Sequence, residues 1–132
     1  MFQYSFKIYY EDTDSGGVVY YANYLKFIER ARTEMINDLG FTLTTLLKKY
    51  DRLFLVKKIE CDYIESCKLE DTLNVQSNIL VLKNASFELE QNILKQNNFI
   101  FRSKILMVCV NSRGAPCKIP SELHSLMKNK DG

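Results

Sequence analysis

The sequence predicts one α+β domain in which an antiparallel sheet packs against a single long helix. Two observations predict it. From about Ala22 to Leu39 the apolar residues recur at spacings of three and four, the period of an amphipathic helix. Strand-like segments stand on both sides of it, one before and four in succession after, with no βαβ alternation to suggest a parallel sheet. The 132 residues fit one domain, 1–132, and the 46% apolar composition argues against disorder.

Residues 2–9 alternate, with Phe2, Tyr4, Phe6 and Ile8 on one face. Residues 10–20 change character, and Asp14, Ser15, Gly16 and Gly17 form a turn signal in which paired glycines permit close approaches. The helix stripe is Tyr24, Phe27, Ile28, Ala31, Met35 and Leu39, widened by Leu25 and Ile36. Asn23 is expected to cap or order its start, and Gly40 to lie just past its end. Residues 42–50 add a short helix.

Leu53 to Tyr63 is expected to put Leu53, Leu55, Ile59, Cys61 and Tyr63 in one register, with Phe54, Val56 and Ile64 opposite. Strands over 72–82, 86–95 and 99–110 follow, joined by polar breaks at Lys83-Asn84 and Gln96-Asn97-Asn98 that read as hairpin turns. Pro116 and the Asn-Ser-Arg-Gly run before it end the last strand, and residues 121–128 form a closing helical turn or two. The last strand is apolar on both faces over several residues, and an unpaired apolar edge or face in so small a subunit invites a second copy.

Eighteen Lys plus Arg against 16 Asp plus Glu leave a net charge of +2, too little for nucleic acid to be the expected partner. No basic, then apolar, N-terminal segment marks a signal peptide, and no apolar run approaches the roughly 20 residues of a membrane span. A cytoplasmic protein is expected. Cys61, Cys67, Cys109 and Cys117 include no Cys-x-x-Cys pair, and His124 is the sole histidine, so reduced thiols are expected rather than a metal site.

There is no Gly-x-Ser-x-Gly elbow, and His124 lies far from any catalytic loop, which argues against a Ser-His-Asp triad. No P-loop or dinucleotide fingerprint is present. What remains is Asp12 and Asp14, on a loop that feeds directly into a helix. Two positions apart on extended backbone, their side chains point to opposite sides. A helix start offers unpaired N–H groups and a favourable end for negative charge. The residues leave two uses open: an Asx turn or helix cap, or a base or nucleophile beside a polarising donor.

The stretch Tyr10-Glu11-Asp12-Thr13-Asp14-Ser15-Gly16-Gly17-Val18-Val19-Tyr20-Tyr21-Ala22-Asn23-Tyr24-Leu25-Lys26-Phe27-Ile28-Glu29-Arg30-Ala31-Arg32-Thr33-Glu34 resembles the signature of the hotdog-fold acyl-CoA thioesterases of the YbgC and 4-hydroxybenzoyl-CoA thioesterase type. Asp62-Tyr63, Leu69-Glu70-Asp71, Val108-Cys109-Val110 and Ile119-Pro120 resemble later landmarks, so the likeness covers nearly the whole chain. It implies a five-stranded antiparallel sheet wrapped around one long central helix. It also implies a homo-oligomer, a dimer or a dimer of dimers, with the site near a subunit interface.

By this resemblance Asp14 is the catalytic carboxylate, attacking the thioester carbonyl directly or through water, while the backbone N–H of Tyr21 stabilises the oxyanion. Gly16, Gly17, Val19, Tyr20, Asn23 and Tyr24 are expected to shape the substrate site. Asp12 is expected to hold the loop, and Glu29 to pair on the helix surface or at an interface. Lys57 and Lys58, with Arg102 and Lys104, are candidates for the coenzyme A phosphates. Coenzyme A is part of the substrate, and no separate cofactor is implied. Many relatives carry histidine at the Tyr21 position; a tyrosine is a poor general base at neutral pH but can donate a hydrogen bond. Acyl carrier protein is a further expected partner. The alternative is a non-catalytic acyl-binding or scaffold protein on the same fold, associated with envelope or phospholipid-synthesis machinery.

Overall fold

The computed structural model describes residues 1–130; Asp131 and Gly132, the end of the expected 1–132 domain, lie outside the described residues. Strand β1 (Phe2–Lys7) leads through a 3-10 turn at Tyr10–Asp12 to helix α1 (Asn23–Asp38) and helix α2 (Leu43–Tyr50). Strands β2 (Leu53–Tyr63), β3 (Thr72–Leu82), β4 (Ser86–Lys95) and β5 (Asn98–Val110) follow, then helix α3 (Ser121–Lys130). The strands form one antiparallel sheet in the order β1-β3-β4-β5-β2, with α1 packed on its inner face. This is the hotdog arrangement.

Helix α1 buries Tyr24, Phe27, Ile28, Ala31, Met35 and Ile36, the expected stripe except for Leu39, which lies just past the helix and is half-buried. They pack with Leu73, Val75, Leu89, Ile93, Phe101 and Ile105 from the sheet and with Ile8 just after β1. Phe27 is fully enclosed, and truncating it to alanine is expected to cost about 3–5 kcal/mol. Leu25 does not widen the stripe: it points outward and is exposed. Gly40 follows the helix at φ 96°, a conformation that suits glycine. Helix α2 is capped by Thr42, whose hydroxyl accepts from Thr45 N–H at 3.0 Å.

Asn23 does not cap α1. The capping position is Ala22, in a right-handed helical conformation with no side-chain cap bond. The Asn23 amide instead donates to the Asp12 carbonyl at 2.9 Å, so it orders the preceding loop. The turn between β4 and β5 is two residues long, Gln96 and Asn97, both at positive φ, and Asn98 already pairs with Lys95.

The single register expected for β2 is broken by a bulge. Val56 pairs with Met107, but Lys58 pairs with Leu106, which leaves Lys57 as the extra residue. Phe54 and Val56 before the bulge therefore share a face with Ile59, Cys61 and Tyr63 after it, while Leu53 and Leu55 point the other way. Alternation in sequence predicts the opposite grouping because it cannot see an inserted residue. β2 is also a sheet edge, and Leu55, Val56, Ile59, Tyr63 and the adjoining Ile64 are exposed on it. Among the described residues, no helix is long and apolar enough to cross a membrane.

Candidate active site

The Asp12–Tyr24 segment is held by a dense set of local bonds. Asp12 is almost buried, and its carboxylate accepts the Tyr9 N–H at 2.9 Å, closing the 3-10 turn. Its carbonyl accepts from Tyr20 N–H at 3.2 Å and from the Asn23 amide. Asp12 is thus the strut of the loop, as its position in the sequence suggests.

Asp14 lies at the tip of that loop. Its N–H donates to the Val18 carbonyl at 2.9 Å, and its own carbonyl accepts from Gly17 N–H at 3.0 Å. One carboxylate oxygen accepts the Gly16 N–H at 2.8 Å. Thr13 bridges to Val19 beneath the turn, and Val18 bridges to Lys68. Val19 N–H donates to the Cys67 carbonyl at 2.8 Å, so the loop is sewn to the segment between β2 and β3. Gly17 sits at φ 80°, where a side chain is strained. The second carboxylate oxygen of Asp14 has no partner among the described residues, and the side chain is exposed. The Asx turn and a chemical role are therefore compatible: one oxygen anchors and the other is free.

Tyr21 follows at the foot of α1. Asn23 N–H donates to the Tyr20 carbonyl and Tyr24 N–H to the Tyr21 carbonyl, but the Tyr21 N–H itself has no partner among the described residues. The residue is 62% exposed, and its ring lies between Tyr20, at 4.9 Å between centroids, and Tyr63, at 6.1 Å and edge-on. A hydrogen bond with Tyr21 raises the Tyr20 hydroxyl above its ordinary range.

Tyr24 is core. It stacks on Phe101 at 5.4 Å, and its hydroxyl meets the Cys67 sulfur at 3.3 Å. Burial, then the Cys67 contact, pushes the phenol well above its ordinary range. Burial raises the Cys67 thiol in turn.

The structure thus gathers Asp14, Gly16, Gly17, Val19, Tyr20, Tyr21, Asn23 and Tyr24 in one place. It does not bring Lys57 or Lys58 there. Both lie midway along β2, and Lys58 is some five residues, roughly 17 Å, from the Tyr63 end of the strand. Lys58 is already ion-paired with Glu60 at 3.0 Å, and Lys104 stands across from the same carboxylate in the sheet. Arg102 lies over the Phe99 ring at 4.3 Å. Tyr63 is the neighbour that periodicity alone does not supply. Its place beside Tyr21 depends on β2 ending at the Asp14 loop, and the bulge sets its face.

Residues 9–126 match the family pattern of the thioesterase-like superfamily. The acyl-CoA thioesterase YbgC of Haemophilus influenzae is 38% identical over 123 residues, spanning 92% of this chain and 90% of that protein. The chain belongs to the hotdog-fold, YbgC-like acyl-CoA thioesterase family. Two solved structures agree. A probable thioesterase from Bartonella henselae superposes with a TM-score of 0.86 at 31% identity, over 89% of this chain and 98% of its own. A gentisyl-coenzyme A thioesterase superposes with a TM-score of 0.86 at 30% identity, over 95% and 98%.

Proposed function

We propose that the protein hydrolyses the thioester of an acyl-CoA to a free acid and coenzyme A, with Asp14 as nucleophile or general base. The observation that carries the assignment is the half-occupied carboxylate. Gly16 N–H fixes one oxygen, which orients the other outward without consuming it. The unpaired Tyr21 N–H, at the positive end of α1, is the donor for the oxyanion. If Asp14 attacks directly, its oxygen adds to the thioester carbon, coenzyme A leaves as the thiolate, and water hydrolyses the resulting anhydride. If it acts as a base, it takes the proton of the attacking water. Both routes place negative charge on the same carbonyl oxygen.

Two protomers joined along β2 form the working unit in this reading, acting as one domain each in the cytoplasm. Support comes from that strand's position at the sheet edge and its row of exposed apolar side chains. Assembly of two such dimers and delivery of acyl groups by acyl carrier protein belong to the same proposal. Gly17, Val19, Tyr20 and Asn23 shape the loop, and Tyr24 supports it from the core. The paired state of Lys58 favours only weak, salt-dependent contact with the coenzyme A phosphates.

The test is thiol release from short-chain, long-chain, aromatic and acyl-carrier-bound thioesters. Hydrolysis of at least one class supports an enzyme. Tight acyl-CoA binding with no turnover of any class would instead establish the non-catalytic acyl-binding reading.

A further inference from the structure

A second feature lies apart from the Asp14 loop within one protomer. A groove of about 210 Å³ runs between α1 and the first half of β2. Ile36, Leu43, Phe54, Val56, Phe87 and Met107 make most of its wall apolar, and Glu29, Arg32 and Thr33 supply its polar lining from α1. One guanidinium nitrogen of Arg32 donates to the Gln91 side-chain oxygen at 3.0 Å. Gln91 is itself immobilised, because its amide donates to the Ile28 carbonyl at 3.0 Å and to the Ser77 hydroxyl at 2.9 Å. The remaining Arg32 N–H groups have no acceptor among the described residues. Burial weakens the guanidinium's hold on its proton, an effect that the nearby Glu29 carboxylate opposes. A cation is therefore held rigidly from one side and left open on the other, in a largely apolar groove that the Glu29 carboxylate shares.

In the dimer proposed above, the groove joins the catalytic site across the interface. Asp14's loop meets β2 at its Tyr63 end, whereas the groove lies beside Phe54 and Val56 at the opposite end. Two free β2 edges related by a two-fold axis pair antiparallel. In that proposed dimer, the pairing carries the Tyr63 end of one copy to the Phe54 end of the other and turns each groove toward the second copy's Asp14 loop.

We propose that Arg32 determines acyl specificity by selecting compact acyl groups that carry a neutral hydrogen-bond acceptor, a hydroxyl, at the end remote from the thioester, while the Glu29 carboxylate in the same groove disfavours a terminal carboxylate. This rests on the reading of the chain as a dimeric thioesterase. The groove holds about seven water volumes of roughly 30 Å³ each, enough for an acyl group of about six to eight heavy atoms. A plain alkyl end strips water from the guanidinium and returns no acceptor, whereas a polar end completes its bonding.

The test measures kcat/KM for hexanoyl-, 6-hydroxyhexanoyl-, adipoyl- and palmitoyl-CoA with wild type, Arg32→Gln and Arg32→Lys, alongside thermal unfolding. Wild type is expected to favour 6-hydroxyhexanoyl-CoA over hexanoyl-CoA by about tenfold or more, and over adipoyl-CoA as well. Arg32→Gln is expected to erase that preference, lowering kcat/KM for 6-hydroxyhexanoyl-CoA about tenfold more than for hexanoyl-CoA. Absence of a wild-type preference, an equal loss on every substrate, or palmitoyl-CoA as the best substrate overturns the assignment. Hydrolysis without discrimination overturns it alone; no hydrolysis of any thioester overturns the thioesterase reading as well. Should Arg32→Gln fail to fold, the wild-type ranking and Arg32→Lys decide.

Discussion

The Asp14 carboxylate accepts the backbone N–H of Gly16 at 2.8 Å, inside a turn closed by the bond from Gly17 N–H to the Asp14 carbonyl. The two glycines therefore do different work. A Cβ at Gly16 would come within 3.2 Å of the bound Asp14 oxygen, whereas one at Gly17 meets nothing but carries the strain of φ 80°.

Gly17→Ala is accordingly expected to lower stability by about 1–2 kcal/mol, the cost of a left-handed residue with a side chain. Gly16→Ala is expected to leave stability nearly unchanged but to push the carboxylate aside and reduce kcat by about tenfold or more. Denaturant unfolding and steady-state kinetics on both variants check the contrast. Loss of activity tracking loss of stability in both would show that Gly16 does not position Asp14.

Tyr24 and Cys67 predict alkaline sensitivity. Burial raises both groups, and it raises the Cys109 thiol from its ordinary value of 9.0 to about 12, with Cys117 adding to the effect. A group raised in the folded state keeps its proton there after the unfolded chain has lost it. Its stabilisation is present below the unfolded value and is lost as pH rises through the folded one. Stability is expected to decline from about pH 9 upward. Urea unfolding from pH 7 to pH 11 measures it, and Cys109→Ala is expected to flatten the decline. A flat wild-type profile contradicts the reading.

Tyr24→Phe isolates the hydroxyl. The stack on Phe101 survives, but the 3.3 Å contact with Cys67 is lost. About 0.5–1.5 kcal/mol of stability is expected to go, with kcat/KM within about threefold of wild type. A hundredfold loss of activity in a folded variant would make Tyr24 part of the chemistry.

Ile59 and Val56 share the inner face of the exposed β2 edge. Ile59→Lys places a charge where a second copy is expected to pack, and it is predicted to yield a monomer by light scattering and to abolish turnover. A dimer of unchanged mass would place the interface elsewhere.

Much of this architecture is written in local patterns. The stripe of α1, Gly40 after it, the succession of one strand, a helix and four strands, and the Asp14 turn depend on residues a few positions apart, and they read directly from the chain. What does not read directly is held by distant partners. The β2 bulge exists because Lys58 pairs with Leu106, and nothing near Lys57 signals it. Arg32 meets Gln91 across 59 positions, and Tyr24 meets Cys67 across 43. Asn23 looks like a helix cap because asparagine favours that role, but the carbonyl of Asp12 comes within reach once the loop folds back and takes its amide instead. Lys57 and Lys58 are basic residues in a strand, and only the fold shows how far along it they lie.

The measurement that tests the account most directly is thiol release by Asp14→Asn beside wild type on the best acyl-CoA of the panel. Asparagine can accept the same Gly16 N–H, so the turn and thermal stability are expected to persist. Activity is expected to fall by about 10²–10⁴-fold, the scale lost with a catalytic base. A folded Asp14→Asn of wild-type mass that keeps activity within tenfold would contradict it, and the chemistry would have to be sought at another residue.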